Sequence, residues 1–279
     1  MMPRRGRQFV LSIVLFAVLT VWSFPVFWGL VTSLKTDRDV LAYPPIGPFH
    51  PILSNYGEVL VGRASIVPNL TSSLIVSVVT TAITIVLAVP AAYALARLRL
   101  RGRAPIGFYI LATQMLPPIG LVIPYFMIFS RVGLLNTYHG LILIDLTLSL
   151  PFAIWLLVSY FEDIPREMEE AALIDRAGRF RALWYVILPQ VRGGIAVTVV
   201  FVFLNVWNEF LFAVVLGGRV VRPVTVAMFN FISLEQTQWG RVSAAAMIAM
   251  APVLLLGLAA QKHIVKGLTL GAVKGVSRR

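Results

Sequence analysis

No cysteine occurs in the 279 residues. That excludes disulfides, iron–sulfur clusters and Cys-ligated zinc. Histidine is nearly as scarce. His50, His139 and His263 lie far apart, and none shows the H-E-x-x-H or H-x-x-x-H spacing of a metal site. Charged residues make up 13% of the chain, where a soluble domain carries roughly 25%. The dipeptide Gly-Lys never occurs, so the G-x-x-x-x-G-K-[ST] loop that cradles nucleotide phosphates is absent and ATP is not bound by that route. No Ser/His/Asp or metal cluster of a catalytic site appears. No period of 20–50 residues repeats, and nothing is low-complexity.

What the chain has in excess is apolar sequence: 58% of residues are hydrophobic and the mean hydropathy is +0.86. The excess comes in long runs separated by short charged segments, the pattern of a helical membrane protein. In lipid each spanning segment satisfies its own backbone as a helix. The runs predict an all-α membrane protein of about six transmembrane helices, over residues 9–31, 68–95, 105–130, 140–161, 194–216 and 243–260. The first follows Arg4, Arg5 and Arg7. It is longer than a signal-peptide core and no A-x-A-like site follows it, so it is read as a retained span.

The net charge of +12 raises the question of nucleic acid. The basic residues, however, sit at the ends of apolar runs, where membrane topology requires them, so no nucleic-acid partner is expected. With the N-terminus placed inside, 17 of the 24 Lys and Arg residues fall on the inner side and 7 on the outer. Both termini are therefore expected in the cytoplasm. The outer segment 32–67 is long and rich in proline, with Pro44, Pro45, Pro48 and Pro51, which favours extended or turn backbone. The inner segment 162–192 is the most charged part of the chain.

Within that inner segment, Pro165 stands at a helix start, Glu167, Glu169 and Glu170 follow in the first turns, and Ala171 and Ala172 come next. Met168, Ala171, Ala172 and Leu173 are expected on or near one face, with charges on the other. Asp175, Arg176 and Gly178 mark a break, and a second short amphipathic helix is expected from 179 to 188, stopped by Pro189. The pattern is a helix–turn–helix between two spans; a plain solvated loop of amphipathic helices is the competing reading.

The stretch Glu170-Ala171-Ala172 … Leu188-Pro189 resembles the EAA motif of ABC importer permeases, E-A-A-x-x-x-G-x(9)-I-x-L-P. The family's isoleucine falls on Val186 and its glycine on Arg176, leaving Gly178 to serve the turn. Asn205-Val206-Trp207-Asn208-Glu209-Phe210, Ser54-Asn55-Tyr56, Ala91-Ala92-Tyr93-Ala94-Leu95-Ala96-Arg97 and the tail from Gln261 to Gly275 are similar to the MalG-like branch of carbohydrate permeases. The resemblance implies a type I ABC importer permease fold with a cytoplasmic coupling helix that docks on a separate ATPase subunit. It implies as partners an ATPase dimer that binds ATP and magnesium, a second, MalF-like permease subunit and an extracytoplasmic sugar-binding protein. ATPase-coupling residues would be Glu170, Ala171, Ala172, Asp175, Arg176, Gly178, Leu188 and Pro189. The expected division is 1–67 as N-terminal helix and outer loop, 68–260 as permease core with its coupling loop at about 162–190, and 261–279 as a cytoplasmic tail. Gly267, Gly271 and Gly275 have GxxxG spacing but lie past the last span, which argues against lipid-phase dimerisation. In the family this tail lies against the ATPases.

Asn205, Asn208 and Glu209 are spaced to share one face of the fifth span. Intramembrane polar groups suggest a path for solute, with Trp207 or Phe212 stacking on a sugar ring; bonding between helices is the alternative. Gln114 joins these path candidates beside Pro117 and Pro118, where either a broken helix or a kink is expected. Asp145 is a candidate partner for Arg131. A secondary transporter would show inverted repeats and coupling carboxylates, and neither pattern is present. An ABC permease for a non-sugar solute, such as a glycerol phosphate ester or a polyamine, stays open beside the sugar reading.

Overall fold

The computed structural model describes the backbone of residues 4–44, 47–63, 65–176, 178–232 and 237–274, with side chains over the same residues except 4–7, 9 and 262–274. Among them every regular element is helical. In chain order these are α1 (Arg4–Ser33), α2 (Asp37–Val40), α3 (Ser54–Val61), α4 (Val67–Arg97), α5 (Arg103–Thr113), α6 (Pro118–Arg131), α7 (Tyr138–Glu162), α8 (Arg166–Ile174), α9 (Arg179–Ala182), α10 (Leu188–Trp207), α11 (Leu211–Leu216), α12 (Val224–Ala227) and α13 (Trp239–Lys274). A π-helical turn, Leu183–Ile187, joins α9 to α10. Among the described residues five stretches are long and apolar enough to cross a membrane: Val10–Ser33, Val67–Arg97, Tyr138–Glu162, Arg179–Trp207 and Trp239–Gln261. The pair α5 and α6 makes a sixth if counted as one span.

The chain divides into two compact units, Met1–Pro68 with Ala227–Ala251, and Asn69–Val226 with Pro252–Arg279. In the first unit α1 contributes almost nothing to a packed interior. Two of its hydroxyls turn back on their own helix: Thr20 donates to the Phe16 carbonyl at 2.9 Å and Thr32 to that of Trp28 at 2.8 Å. Such bonds are what an apolar surround requires of a hydroxyl. At the end of α1 the Asn55 amide of α3 donates to the carbonyls of Ser33 and Lys35, at 2.9 and 2.8 Å. It thereby satisfies acceptors that helix ends leave orphaned. Gly240 at the start of α13 is required here, because a Cβ would come within 2.6 Å of the Asn55 amide nitrogen.

In the second unit α10 packs on α7 and α5 packs on α7 as well. The core holds Ile144, Leu157 and Phe161 of α7 with Ile187, Val202, Phe212 and Leu216, all essentially inaccessible. The approach of α10 to α7 depends on Gly194, where a Cβ would meet the Tyr160 ring at 2.3 Å.

Three sequence expectations are corrected. Residues 105–130 do not form one helix: α5 and α6 meet at 90°. Pro117 is extended (ψ 122) and Pro118 opens α6, because consecutive prolines remove two amide donors and bar helical backbone before them. This is a broken helix, the first of the two arrangements open at that site. The fifth span does not run from 194 to 216: it ends at Trp207, and α11 starts separately at Leu211. Finally, Pro189 stops nothing. Residues 179–207 form one continuous helical stretch of 29 residues, in which the π turn directly precedes Pro189 in the first turn of α10. A π turn widens the helix locally, and the missing amide of proline is tolerated in a first turn.

Candidate functional site

α8 begins after Pro165, whose extended backbone (ψ 136) is that of an N-cap. Glu167 and Glu169 follow in its first turn, favoured by the positive end of the helix dipole. Met168 and Ala172, four residues apart, share the inward face. Ala172 is buried, and Met168 packs against the core. Glu170, Ala171, Asp175 and Arg176 are exposed, as is Ile174 at 80%. This corrects the expected single apolar face: Ala171 points out, whereas Ala172 belongs to the chain's own packing. Leu188 is half-buried and Pro189 exposed, both on the helical stretch that follows rather than in the turn.

The turn itself differs from expectation. Gly178 is extended (φ −61, ψ 157), and a Cβ there would meet nothing within 4 Å. Arg176 takes the left-handed conformation, with φ 60, and its amide donates to the Leu173 carbonyl at 3.2 Å. The position where the EAA motif has glycine is thus the one with left-handed backbone, the conformation that ends helices and suits glycine best. Arginine holds it here at a cost of roughly 1–2 kcal/mol.

The stretch from Arg179 to Trp207 is about 43 Å long at 1.5 Å per residue. That exceeds the roughly 30 Å of hydrocarbon a span must cross. The second arm of the motif is therefore the first part of a helix long enough to span, and α8 packs against its π turn. Phe180 (75% exposed), Tyr185 (78%) and Trp184 (50%) stand out from this arm, with the rings of Phe180 and Trp184 5.9 Å apart. A sequence reading centred on charge and small residues passes over them.

A second group that it passes over joins α8 to α4. Tyr93 donates its hydroxyl to the Glu169 carboxylate at 2.5 Å. The Arg97 guanidinium donates to the carbonyls of Phe161 and Ile164, at the end of α7 and just beyond. Its Nε lies 4.0 Å from Glu169 and makes no hydrogen bond. The Arg97 side chain is 3% exposed, and the Tyr93 ring meets Phe161 edge-on at 5.9 Å. Their signal in the sequence is the i, i+4 spacing of Tyr93 and Arg97 at the end of a span.

The path candidates are scattered. Asn205 and Asn208 are exposed on α10 and at its end, and the Asn208 amide donates back to the Leu204 carbonyl at 2.8 Å. Glu209 turns away from them: its two carboxylate oxygens accept the amides of Phe212 at 2.8 Å and Ala213 at 2.9 Å. Trp207 is 4% exposed and stacks on Phe203 at 5.5 Å, and Phe212 is 1% exposed, so neither ring offers a face to a solute. Gln114, at the α5–α6 break, donates to the Leu148 carbonyl of α7 at 3.0 Å. Asp145 is buried and, among the described residues, forms no ion pair with Arg131 or another arginine; it shares with Glu209, Ser73 and Ser77 the wall of a cavity of ≈ 10 Å³, room for about one water. The tail expected to lie against the ATPases has no described side chains after Gln261, and residues 275–279 lie outside the described residues.

The chain was compared with known proteins. Residues 84–270 match the family of binding-protein-dependent transport system inner membrane components. The trehalose/maltose transport system permease protein of Thermococcus litoralis is 35% identical over 271 residues, covering 95% of this chain and 96% of the relative. The sulfoquinovosyl glycerol transport system permease protein of Agrobacterium fabrum is 37% identical over 254 residues, covering 90% and 89%. Among solved structures, a bacterial ABC transporter that imports the acidic polysaccharide alginate superposes with a TM-score of 0.76 at 25% identity, covering 94% of this chain and 98% of that one. An all-helical chain with a charged helix–turn–helix fused to a spanning helix, matched over two thirds of its length, belongs to the binding-protein-dependent transport system inner membrane components, the permease subunits of ABC importers.

Proposed function

We propose that this chain is one of two membrane subunits of an ATP-driven importer whose solute is a carbohydrate delivered by an extracytoplasmic binding protein. A second permease completes the path, and a pair of ATPase subunits binds ATP and magnesium. The carrying observation is the form of the 166–207 segment: α8 presents exposed Glu170, Ala171 and Asp175, and the arm behind it is continuous with a span. A partner that grips α8 moves a membrane helix through one short turn and through the packing of α8 on the π turn. The sugar assignment draws on relatives named as permeases of trehalose/maltose and sulfoquinovosyl glycerol transport systems.

Both termini lie in the cytoplasm in this reading, which the excess of Lys and Arg on that side supports. Residues 68–260 serve as the permease core, 162–190 as its coupling loop and 261–279 as a cytoplasmic tail. Glu170, Ala171, Asp175 and Arg176 meet the ATPase, while Ala172, Leu188 and Pro189 hold the loop's shape. Exposed Asn205 and Asn208 face the path or the second permease.

Affinity purification through a tag on this chain, co-expressed with its neighbouring genes, is expected to bring down an ATPase and a second permease. Binding-protein-dependent uptake in vesicles is expected to require ATP and a sugar bound by that protein. Uptake driven by an ion gradient without an ATPase refutes the reading. A binding protein that takes a polyamine or a phosphate ester instead refutes only the sugar assignment.

A further inference from the structure

We infer that Tyr93, Arg97 and Glu169 are positioning residues that latch the coupling helix α8 to the cytoplasmic end of α4, so that the two move as one body. The inference rests on the reading of α8 as the ATPase-coupling helix. Connectivity alone ties α8 to α7 on one side and to the α9–α10 arm on the other. α4 ends at Arg97, far earlier in the chain, and has no covalent reason to follow.

The latch supplies that reason. Arg97 buries a guanidinium at 3% exposure, where a charge without partners is costly. Its acceptors come from the end of α7 and the linker to α8, namely the carbonyls of Phe161 and Ile164. The first is among the carbonyls that a helix end leaves orphaned. Glu169 answers from α8, its side chain 13% exposed, with one oxygen bonded to Tyr93 and the other facing Arg97. Pulling α8 from α4 strips Glu169 of the Tyr93 hydroxyl and leaves Arg97 buried with no carboxylate opposite. Apolar packing on the same side closes the joint, with Ala92, Ala96, Phe161 and Ile164 all buried. A second ion pair, Arg103 with Glu162, is about half exposed, and exposed pairs hold little.

The remainder of α4 is suited to carrying a displacement. Its buried hydroxyls at Ser77, Thr80, Thr81 and Thr84 bond to no other described residue, so these four tie its middle to no neighbouring described helix. At its outer end polar contacts resume: Asn69 donates to the Arg222 carbonyl at 2.7 Å, and Ser72 meets the Tyr138 hydroxyl at 3.1 Å. A push on α8 is thereby delivered through α4 to the start of α7 at Tyr138 and to the segment before α12 that carries Arg222.

The test uses the assembled importer. The chain has no cysteine, so Val86→Cys on α4 and Glu167→Cys on α8, both exposed, take a pair of spin labels. Their separation is measured by pulsed electron resonance without nucleotide, and again after trapping with ATP and vanadate in the presence of the binding protein. The expected result is an unchanged distance distribution in the otherwise wild-type complex. In Tyr93→Phe and Glu169→Gln, trapping shifts or broadens it, and stimulation of ATP hydrolysis by the binding protein falls severalfold at normal assembly. The double variant loses less than the sum of the two single ones, because both weaken the same Tyr93–Glu169 bond, Gln offering only a neutral acceptor. A shift in the wild-type background, or variants that keep both the distance and the stimulation, overturns the latch. So does a fall in assembly with stimulation per complex unchanged, which marks a merely structural role. A wild-type complex that contains no ATPase overturns the coupling reading itself, and the latch with it.

Discussion

The carboxylate of Glu209 accepts the backbone amide of Phe212 at 2.8 Å, and its second oxygen takes that of Ala213 at 2.9 Å. These are donors that the start of α11 otherwise leaves unpaired. A carboxylate there also meets the positive end of the helix. The Glu209 carbonyl accepts the Thr225 hydroxyl at 3.0 Å, so the residue fixes the break between α10 and α11 from both its side chain and its backbone. Replacing Glu209 by Ala is expected to cost about 1 kcal/mol, as loss of a helix cap does. Thermal unfolding of the purified complex reads this, with uptake falling in proportion to the complex that remains assembled. Glu209→Gln keeps an acceptor and is expected to lose less. Uptake abolished in a fully assembled Glu209→Gln complex would instead give the carboxylate a role in the path.

The left-handed backbone of Arg176 makes a second prediction. Glycine reaches φ near 60 without the clash between Cβ and backbone that arginine carries. Arg176→Gly is expected to stabilise the end of α8 by about 1 kcal/mol, after allowing for the greater freedom of glycine in the unfolded chain. Slower amide exchange at Asp175 and Arg176 in the complex is the measurement. Gly178→Ala, at extended backbone with open space around it, is expected to be neutral. A larger loss at Gly178 than at any neighbouring residue contradicts this assignment.

Much of this architecture was legible in composition, and the failures have physical causes. Long apolar runs place spans reliably because lipid forces each to be a helix. Breaks inside a run are harder to see. Asn208, Glu209 and Phe210 contain neither proline nor glycine, and the fifth span ends there because the Glu209 side chain caps the next helix, which hydropathy does not register. Polar residues in an apolar run then read as intramembrane groups, and their expected shared face disappears once the helix stops at Trp207. Pro189 misled in the opposite direction, since a π turn absorbs it. The Tyr93–Glu169 bond spans 76 positions, a separation at which a single sequence gives no pairing signal. The inward turn of Ala172, by contrast, was recoverable from its spacing of four from Met168.

Gly194 sets the distance between α10 and α7. A Cβ there would lie 2.3 to 2.7 Å from three atoms of the Tyr160 ring, at the part of the ring nearest its own backbone. The ring cannot swing clear without moving its helix, so Gly194→Ala is expected to destabilise by about 1–3 kcal/mol, the usual range for overpacking. Tyr160→Ala alone leaves a gap and also destabilises. The double variant is expected to be less destabilised than the sum of the two, a non-additivity typical of residues in contact. Strict additivity in thermal unfolding of the complex argues that the two helices do not meet at this point.

The two alanines of the motif separate docking from folding. Ala171 is exposed on α8 while Ala172 is buried. A partner that closes over α8 in the proposed importer meets the face holding Glu170, Ala171 and Ile174, where a small side chain permits close approach. Ala171→Arg is expected to reduce ATPase co-purification at least tenfold, about 1.4 kcal/mol of binding, while the chain stays folded in the membrane. Ala172→Arg forces a charge into the packing against Met168 and the π turn, and is expected to lower the amount of folded chain before any docking is measured. The pair of variants therefore gives opposite signatures: normal permease with lost ATPase for Ala171, and lost permease for Ala172. The measurement is the yield of detergent-extracted chain alongside the ATPase it retains. Equal effects of the two variants on both quantities contradict the orientation of α8. Full retention of the ATPase in Ala171→Arg contradicts docking on this face and shifts attention to the exposed ring cluster of Phe180, Trp184 and Tyr185.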